Sequence, residues 1–99
     1  MAKKLSRAMK RRKLNRKAKP EHFFWLSDGT VVRSVKELAE AFGSMEDHIY
    51  YHHANQQKND FSNWVADIFN EKHLAKTLMQ ASNKMEAQLI TLRHLVKNL

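Results

Sequence analysis

Read from the amino end, apolar residues are sparse until Phe23 and then arrive in regular patterns. Residues 1–20 carry only Leu5, Met9 and Leu14 as sizeable apolar groups beyond the initial methionine. Such a stretch buries too little surface to offset its chain entropy, which predicts a segment that is disordered on its own. Two apolar runs follow, on either side of Ser27, Asp28, Gly29 and Thr30. Asp-Gly between hydrophobic runs is a hairpin signal because glycine accepts the positive φ a tight turn requires. The pattern predicts paired strands over residues 23–26 and 30–32. A lone hairpin is marginal in water, so helices are expected to cover one face.

From Ser34 the apolar positions take up a period of about 3.6. Ser34 and Glu37 have the spacing of a capping box, and Val35, Leu38, Ala39 and Phe42 recur at i, i+3, i+4 and i+7. Gly43 stands where a C′ glycine ends a helix. Ser44 then heads a second pattern in which Met45, Ile49 and His53 share a stripe, with Tyr50 beside them and His48, Tyr51 and His52 turned outward. Residues 55–59 hold no apolar group and read as a loop. Asn59 or Asp60 caps a third helix bearing Phe61, Trp64, Val65, Ile68 and Phe69, with Trp64 expected at the centre of the core. Asn70 is expected to cap a last helix over residues 71–97. Along it Leu78, Ala81, Met85, Leu89, Leu92, Val96 and Leu99 approach a heptad seam. At 1.5 Å per residue it would be about 40 Å long, so its distal half must fold back or meet another chain. The expected fold is α+β and mostly α: an N-terminal β-hairpin packed on three helices, with a long C-terminal helix and a disordered basic tail. The expected division is tail 1–20, a small α+β domain 21–78, and an extension of the last helix over 79–99.

Composition narrows the functional classes. A chain of 99 residues whose first fifth is unlike the rest leaves a folding unit of about 80, near the size at which one core is marginal. There is little room for a deep substrate cavity, which argues against an enzyme, and no cofactor is expected. The absence of cysteine excludes disulfides, thiolate zinc sites and cysteine nucleophiles, and fits an intracellular location. No apolar run reaches the roughly 20 residues that cross a bilayer, and none follows the basic opening as a secretory signal requires. The expected location is cytoplasmic, with association to nucleoid or ribosome open.

The stretch from "FFWLSDGTVVRSVKELAEAF" to "HANQQKNDFSNWVADIFNEKHLA" resembles a small domain family of archaeal and bacterial proteins for which no activity is established. Its pattern is an aromatic strand, a DG turn, an SxxEL helix, a histidine, and NDFxxW followed by LA. The resemblance covers about residues 22–78. It implies that His53, Asn59, Asp60, Phe61 and Trp64 are the motif positions, with Leu74 and Ala75 as its LA; the basic tail and final helix fall outside it.

Three constellations carry candidate chemistry. His48 and His52 are i, i+4 on a helix, the spacing at which two imidazoles share a metal, with Asp47 or Asp60 as conceivable third ligands. The HExxH pattern is absent because Ile49 fills the place of its glutamate, so a solvated helix face is the plainer reading and no metal is expected. His53, Asp60 and Ser62 have the residue types of a triad, against a structural reading in which the His53 ring packs on Trp64 and bonds the next helix. Asn59 and Asp60 read first as helix caps.

The third constellation is the tail. Residues 1–19 hold ten Lys or Arg and no acid, a charge of +10; residues 20–99 hold eight against ten Asp or Glu, a charge of −2. Lys3, Lys4, Arg7, Lys10, Arg11, Arg12, Lys13, Arg16, Lys17 and Lys19 are therefore the candidate nucleic-acid contacts. Each cation that reaches a phosphate releases condensed counterions, and no aromatic residue is interleaved to stack bases. Such an arm is expected to grip RNA or DNA backbone with little sequence preference. A membrane anchor would want larger apolar residues and a transit peptide more serine. A protein-interaction module that oligomerises through the last helix, residues 78–99, is the alternative.

Overall fold

The computed structural model describes residues 16–98. The expectation of disorder in residues 1–15, seven of the ten tail cations (Lys3, Lys4, Arg7, Lys10, Arg11, Arg12 and Lys13) and Leu99 lie outside the described residues.

The described residues are mostly helical, with one two-stranded antiparallel sheet: β1 (Phe24–Trp25), β2 (Val31–Val32), α1 (Val35–Ser44), α2 (Asp47–His53), α3 (Asp60–Phe69), α4 (Lys72–Leu78) and α5 (Lys84–Lys97). In the hairpin Phe24 faces Val32 and Trp25 faces Val31. Its turn is a three-residue loop. The Gly29 amide donates to the Leu26 carbonyl at 2.9 Å, the Leu26 amide donates to the Thr30 carbonyl at 2.8 Å, and the Asp28 carboxylate accepts from the Thr30 amide at 2.9 Å. Gly29 takes φ +91, a conformation that costs an L-residue roughly 1–2 kcal/mol.

Residues 16–19, assigned to the tail by their charge, are docked on the body: the Ala18 amide donates to the Arg33 carbonyl at 2.7 Å and Lys17 bridges Ser34. The folded unit therefore begins no later than Arg16. Backbone pairing at the end of β2 needs no apolar side chain, so composition gave no sign of it.

Four helix termini behave differently from their sequence signals. Ser34 caps α1 as expected, accepting from the Glu37 amide, but Glu37 answers to Arg33, whose amide and guanidinium both donate to its carboxylate. Gly43 is not a C′ residue, since α1 runs through it to Ser44. A Cβ there would meet the Gln88 side chain, so this glycine is explained by the close approach of α5 to α1. Ser44 accordingly ends α1 instead of capping α2, whose N-cap is Glu46 without a side-chain bond. Asn70 does not cap the next helix: at φ 55 it is the left-handed C-cap of α3, and Glu71 precedes α4.

The last helix is broken. Residues 79–83 turn the chain between α4 and α5, so the single 71–97 helix and its continuous heptad seam do not exist. A new helix start holds the break: the Asn83 side chain caps α5 by accepting from the Glu86 amide at 2.9 Å, while the Glu86 carboxylate accepts from the amide of Ser82, one residue before the cap, at 2.7 Å. Freed from α4, the helix folds back along α1 with Ala87 and Thr91 inward. Gln88 donates to the Ala39 carbonyl at 3.0 Å and Lys84 to the Met45 carbonyl at 2.6 Å. Leu78 is buried, whereas Met85, Leu89, Leu92 and Val96 are left outside, 44–76 % exposed.

Phe61 sits at the centre of the core, where Trp64 was expected. It is 1 % exposed, stacks on Phe24 and Tyr50, and meets Phe42 and His53 edge-on, with ring centroids 4.9–5.7 Å away. Trp64 closes the core's edge, its indole N–H donating to the His22 carbonyl at 2.7 Å. An indole needs an acceptor for its N–H, which draws it toward backbone, whereas a phenyl ring has no such demand.

Candidate functional site

His53 ends α2 and is almost fully buried. The chain then makes a short clasp: the Asn55 amide donates to the Lys58 carbonyl at 2.9 Å, Ala54 bridges Asn59, and the Asn55 side chain both accepts from the Gln57 amide and donates to the Tyr51 carbonyl. This clasp brings Asp60, the first residue of α3, back against His53. Nδ1 of His53 lies 2.9 Å from Oδ2 of Asp60, and Nε2 lies 3.0 Å from the Ser27 amide nitrogen.

The Ser27 amide can only donate, so Nε2 must be the acceptor and Nδ1 carries the hydrogen given to Asp60. A histidine–aspartate pair is thus assembled, but the nitrogen that a general base would turn toward a nucleophile faces a backbone N–H of the hairpin loop. Ser62 is buried in α3, and its hydroxyl has no partner among the described residues. The three residues of the triad reading are not linked as a triad. The His53 ring packs edge-on against Phe24, with centroids 5.1 Å apart, and against Phe61 instead of Trp64.

Asn59 and Asp60 separate into two roles. Asn59 is the cap of α3, accepting from the Ser62 amide at 3.0 Å, and its side-chain amide donates to the Leu78 carbonyl at 3.3 Å. Asp60 is not a cap. Burial pushes its carboxyl up, but hydrogen bonds from His53 and from Lys58, whose Nζ is 3.0 Å away, outweigh this and hold it below the usual carboxylate range. Asn59, Phe61 and Trp64 join cap, core centre and core edge, and Leu74 and Ala75 are buried on α4.

His48 and His52 stand exposed on α2, with His48 Nδ1 3.6 Å from the Glu46 carboxylate. Asp60 is engaged by His53, and Asp47 lies 3.5 Å from Lys84. Among the described residues no three His, Asp or Glu side chains converge as a metal site would need.

Of the tail cations, three fall within the described residues. One Arg16 guanidinium N–H donates to the Phe69 carbonyl at 3.3 Å, and the group lies over the Phe69 ring, 5.1 Å from its centroid. A cation at the carbonyl end of a helix is stabilised by the helix dipole as well as by the ring. Arg16 is therefore the anchor of the arm's root, while Lys17 and Lys19 project into solvent beside a hollow of about 220 Å³ shared with His22 and Ile68.

The turn at residues 79–83 also creates a feature that the apparent heptad concealed. A cleft of about 720 Å³ lies between it and the 54–59 clasp, lined by Tyr51, Asn55, Gln57, Lys58, Met79 and Gln80 among others. The Tyr51 hydroxyl donates across its rim to the Ser82 carbonyl at 3.2 Å. The cleft could be foreseen only by reading Asn83 and Glu86 as a helix start.

No helix of the described residues is long and apolar enough to cross a membrane. No protein-family model, curated protein or solved structure matches the chain.

Proposed function

We propose that this chain is a non-enzymatic nucleic-acid-associated protein whose basic N-terminal arm holds the phosphate backbone of RNA or DNA with little sequence preference, while the folded body offers a surface to a partner. The observation that carries the reading is the segregation of charge: ten cations without an acid in residues 1–19 against a net −2 in the remainder. Charge balanced within the body would do for solubility; a block of one sign on a short arm suits a polyanion. The anchoring of Arg16 and Ala18 supports it further, because a root fixed to the body transmits the arm's grip to the whole protein. A cytoplasmic setting, at nucleoid or ribosome, follows from this reading.

The test is retention on immobilised DNA and RNA at roughly 50 and 300 mM salt, for the native chain and for one with Lys3, Lys4, Arg7, Lys10, Arg11, Arg12 and Lys13 all changed to Gln. Retention lost at the higher salt, and lost at both in the variant, is expected. Equal retention of the two proteins would refute the reading.

A second reading rests on the exposed row of Met85, Leu89, Leu92 and Val96 along α5. Their 4, 3, 4 spacing is self-complementary, so two copies paired antiparallel would set Met85 against Val96 and Leu89 against Leu92. Light scattering is expected to show a dimer that becomes a monomer on Leu89→Lys; a native monomer at all concentrations would dismiss it.

A further inference from the structure

The unpaired positive charge of the body is also unevenly placed. Arg33, Lys58 and Lys84 have acidic partners in Glu37, Asp60 and Asp47. Among the described residues beyond the arm's root, Lys36, Lys72, Lys76, Arg93 and Lys97 have none, and all but Lys36 stand on α4 and α5. These two helices enclose a groove of about 210 Å³ lined by His73 and Thr77 from one side and by Ile90, Arg93, His94 and Lys97 from the other. Arg93 and Lys97 are one turn apart on α5 and both are exposed, as is His73. The acid nearest the groove in the chain, Glu71, is engaged by His94, whose Nε2 lies 3.1 Å from its carboxylate. The groove is smaller than the roughly 300 Å³ at which pockets begin to bury an organic ligand. It suits a small anionic group whose remainder stays outside.

Its position continues the arm. Arg16 is bonded to Phe69, and His73 follows four residues later. Four residues span at most about 14 Å, some four nucleotides at 3.4 Å of rise per strand. We propose that the α4–α5 groove is a backbone-phosphate seat for the same nucleic acid that the arm holds, with Arg93 and Lys97 as its cations and His73 as a hydrogen-bond donor at its mouth. The inference rests on the nucleic-acid reading and adds to it a place on the folded body where the polymer lies. Duplex RNA and duplex DNA share the phosphodiester chemistry, and their different spacing decides which one spans both arm root and groove.

The test measures affinity of the full chain for 20-base-pair duplex RNA and duplex DNA over a salt series. Three proteins are compared with the native one: Arg93→Gln with Lys97→Gln, the arm variant above, and Lys36→Gln as a control for loss of charge elsewhere. The groove variant is expected to bind about tenfold more weakly, with a salt slope smaller by up to about two, on whichever duplex is the ligand, while Lys36→Gln binds as the native chain does. Circular dichroism identical to the native protein establishes that these exposed substitutions leave the fold intact. If the groove variant binds normally while the arm variant fails, the groove inference is overturned and the arm reading stands. If the arm variant also binds normally, or the native chain binds neither duplex, both fall. A Lys36→Gln loss equal to that of the groove variant would show a general charge effect and would equally overturn the seat.

Discussion

His53 stands at a position where helical spacing alone would place a leucine, and its surroundings explain why it is not one. Its two nitrogens join three separate pieces of chain: α2, which carries it, the hairpin loop through Ser27, and α3 through Asp60. Replacing it by leucine keeps the apolar contacts with Phe24 and Phe61 but leaves the Ser27 amide without its acceptor and the Asp60 carboxylate with Lys58 alone. His53→Leu is expected to cost about 1–3 kcal/mol in urea unfolding. A change under 0.5 kcal/mol would mean that water replaces the ring without loss. Asp60 gives the same corner a pH dependence. Its carboxyl is held below the usual range in the folded chain, so its contribution is present above the ordinary carboxylate pKa and is lost as pH falls through the lower folded value. The stability gap between the native chain and Asp60→Asn is expected to be widest near about pH 6 and to close toward about pH 2. A gap independent of pH would contradict that origin. The stripe holding His53 and the nearness of Asp60 were legible in the sequence. Ser27, 26 positions away, was not, because a backbone donor carries no residue-type signal.

At the scale of elements, local signals succeeded where the deciding contact lies within a few residues along the chain. Ser34 and Asn59 are caps, Gly29 takes the positive φ of its turn, and the buried stripes of α1 and α3 hold the positions that their period marks. The misreadings cluster where a tertiary contact claims the residue. Gly43 resembles a stop signal although it is a clearance for Gln88, and the apparent heptad from Leu78 to Val96 masks the Asn83 cap inside it. Clearance makes Gly43 testable. In an ordinary helix interior Gly→Ala gains up to about 1 kcal/mol. Here Gly43→Ala is expected to gain nothing or to destabilise, since the new methyl displaces the Gln88 amide from the Ala39 carbonyl. The gain is expected to reappear when Gly43→Ala is made in a Gln88→Ala background. Equal effects in both backgrounds, read by thermal unfolding, would show that the two helices do not approach as described.

For the whole molecule, the organising fact is that charge and fold are separated along the chain and, among the described residues, are joined where the arm's root docks on the body. Aromatic rings from β1, α1, α2 and α3 build a core around Phe61, α4 and α5 wrap it, and the acids of the body answer three of its own cations. Arg16 grips the end of α3, beside the helix that begins the α4–α5 groove. Composition made the arm visible at once, since a run of ten cations without an acid needs no structure to be noticed. Which body cations lie together was invisible, because Arg93 and Lys97 approach His73 only after the chain reverses at residues 79–83. The central claim is that the arm binds nucleic-acid backbone electrostatically, and the salt dependence of binding addresses it most directly. On duplexes of equal length and unrelated sequence, log K is expected to fall linearly with log salt, with slopes alike for all sequences. Changing the seven cations of residues 3–13 to glutamine is expected to flatten that slope by up to about six. A slope near zero for the native chain, or one that the arm variant leaves unchanged, would contradict the account.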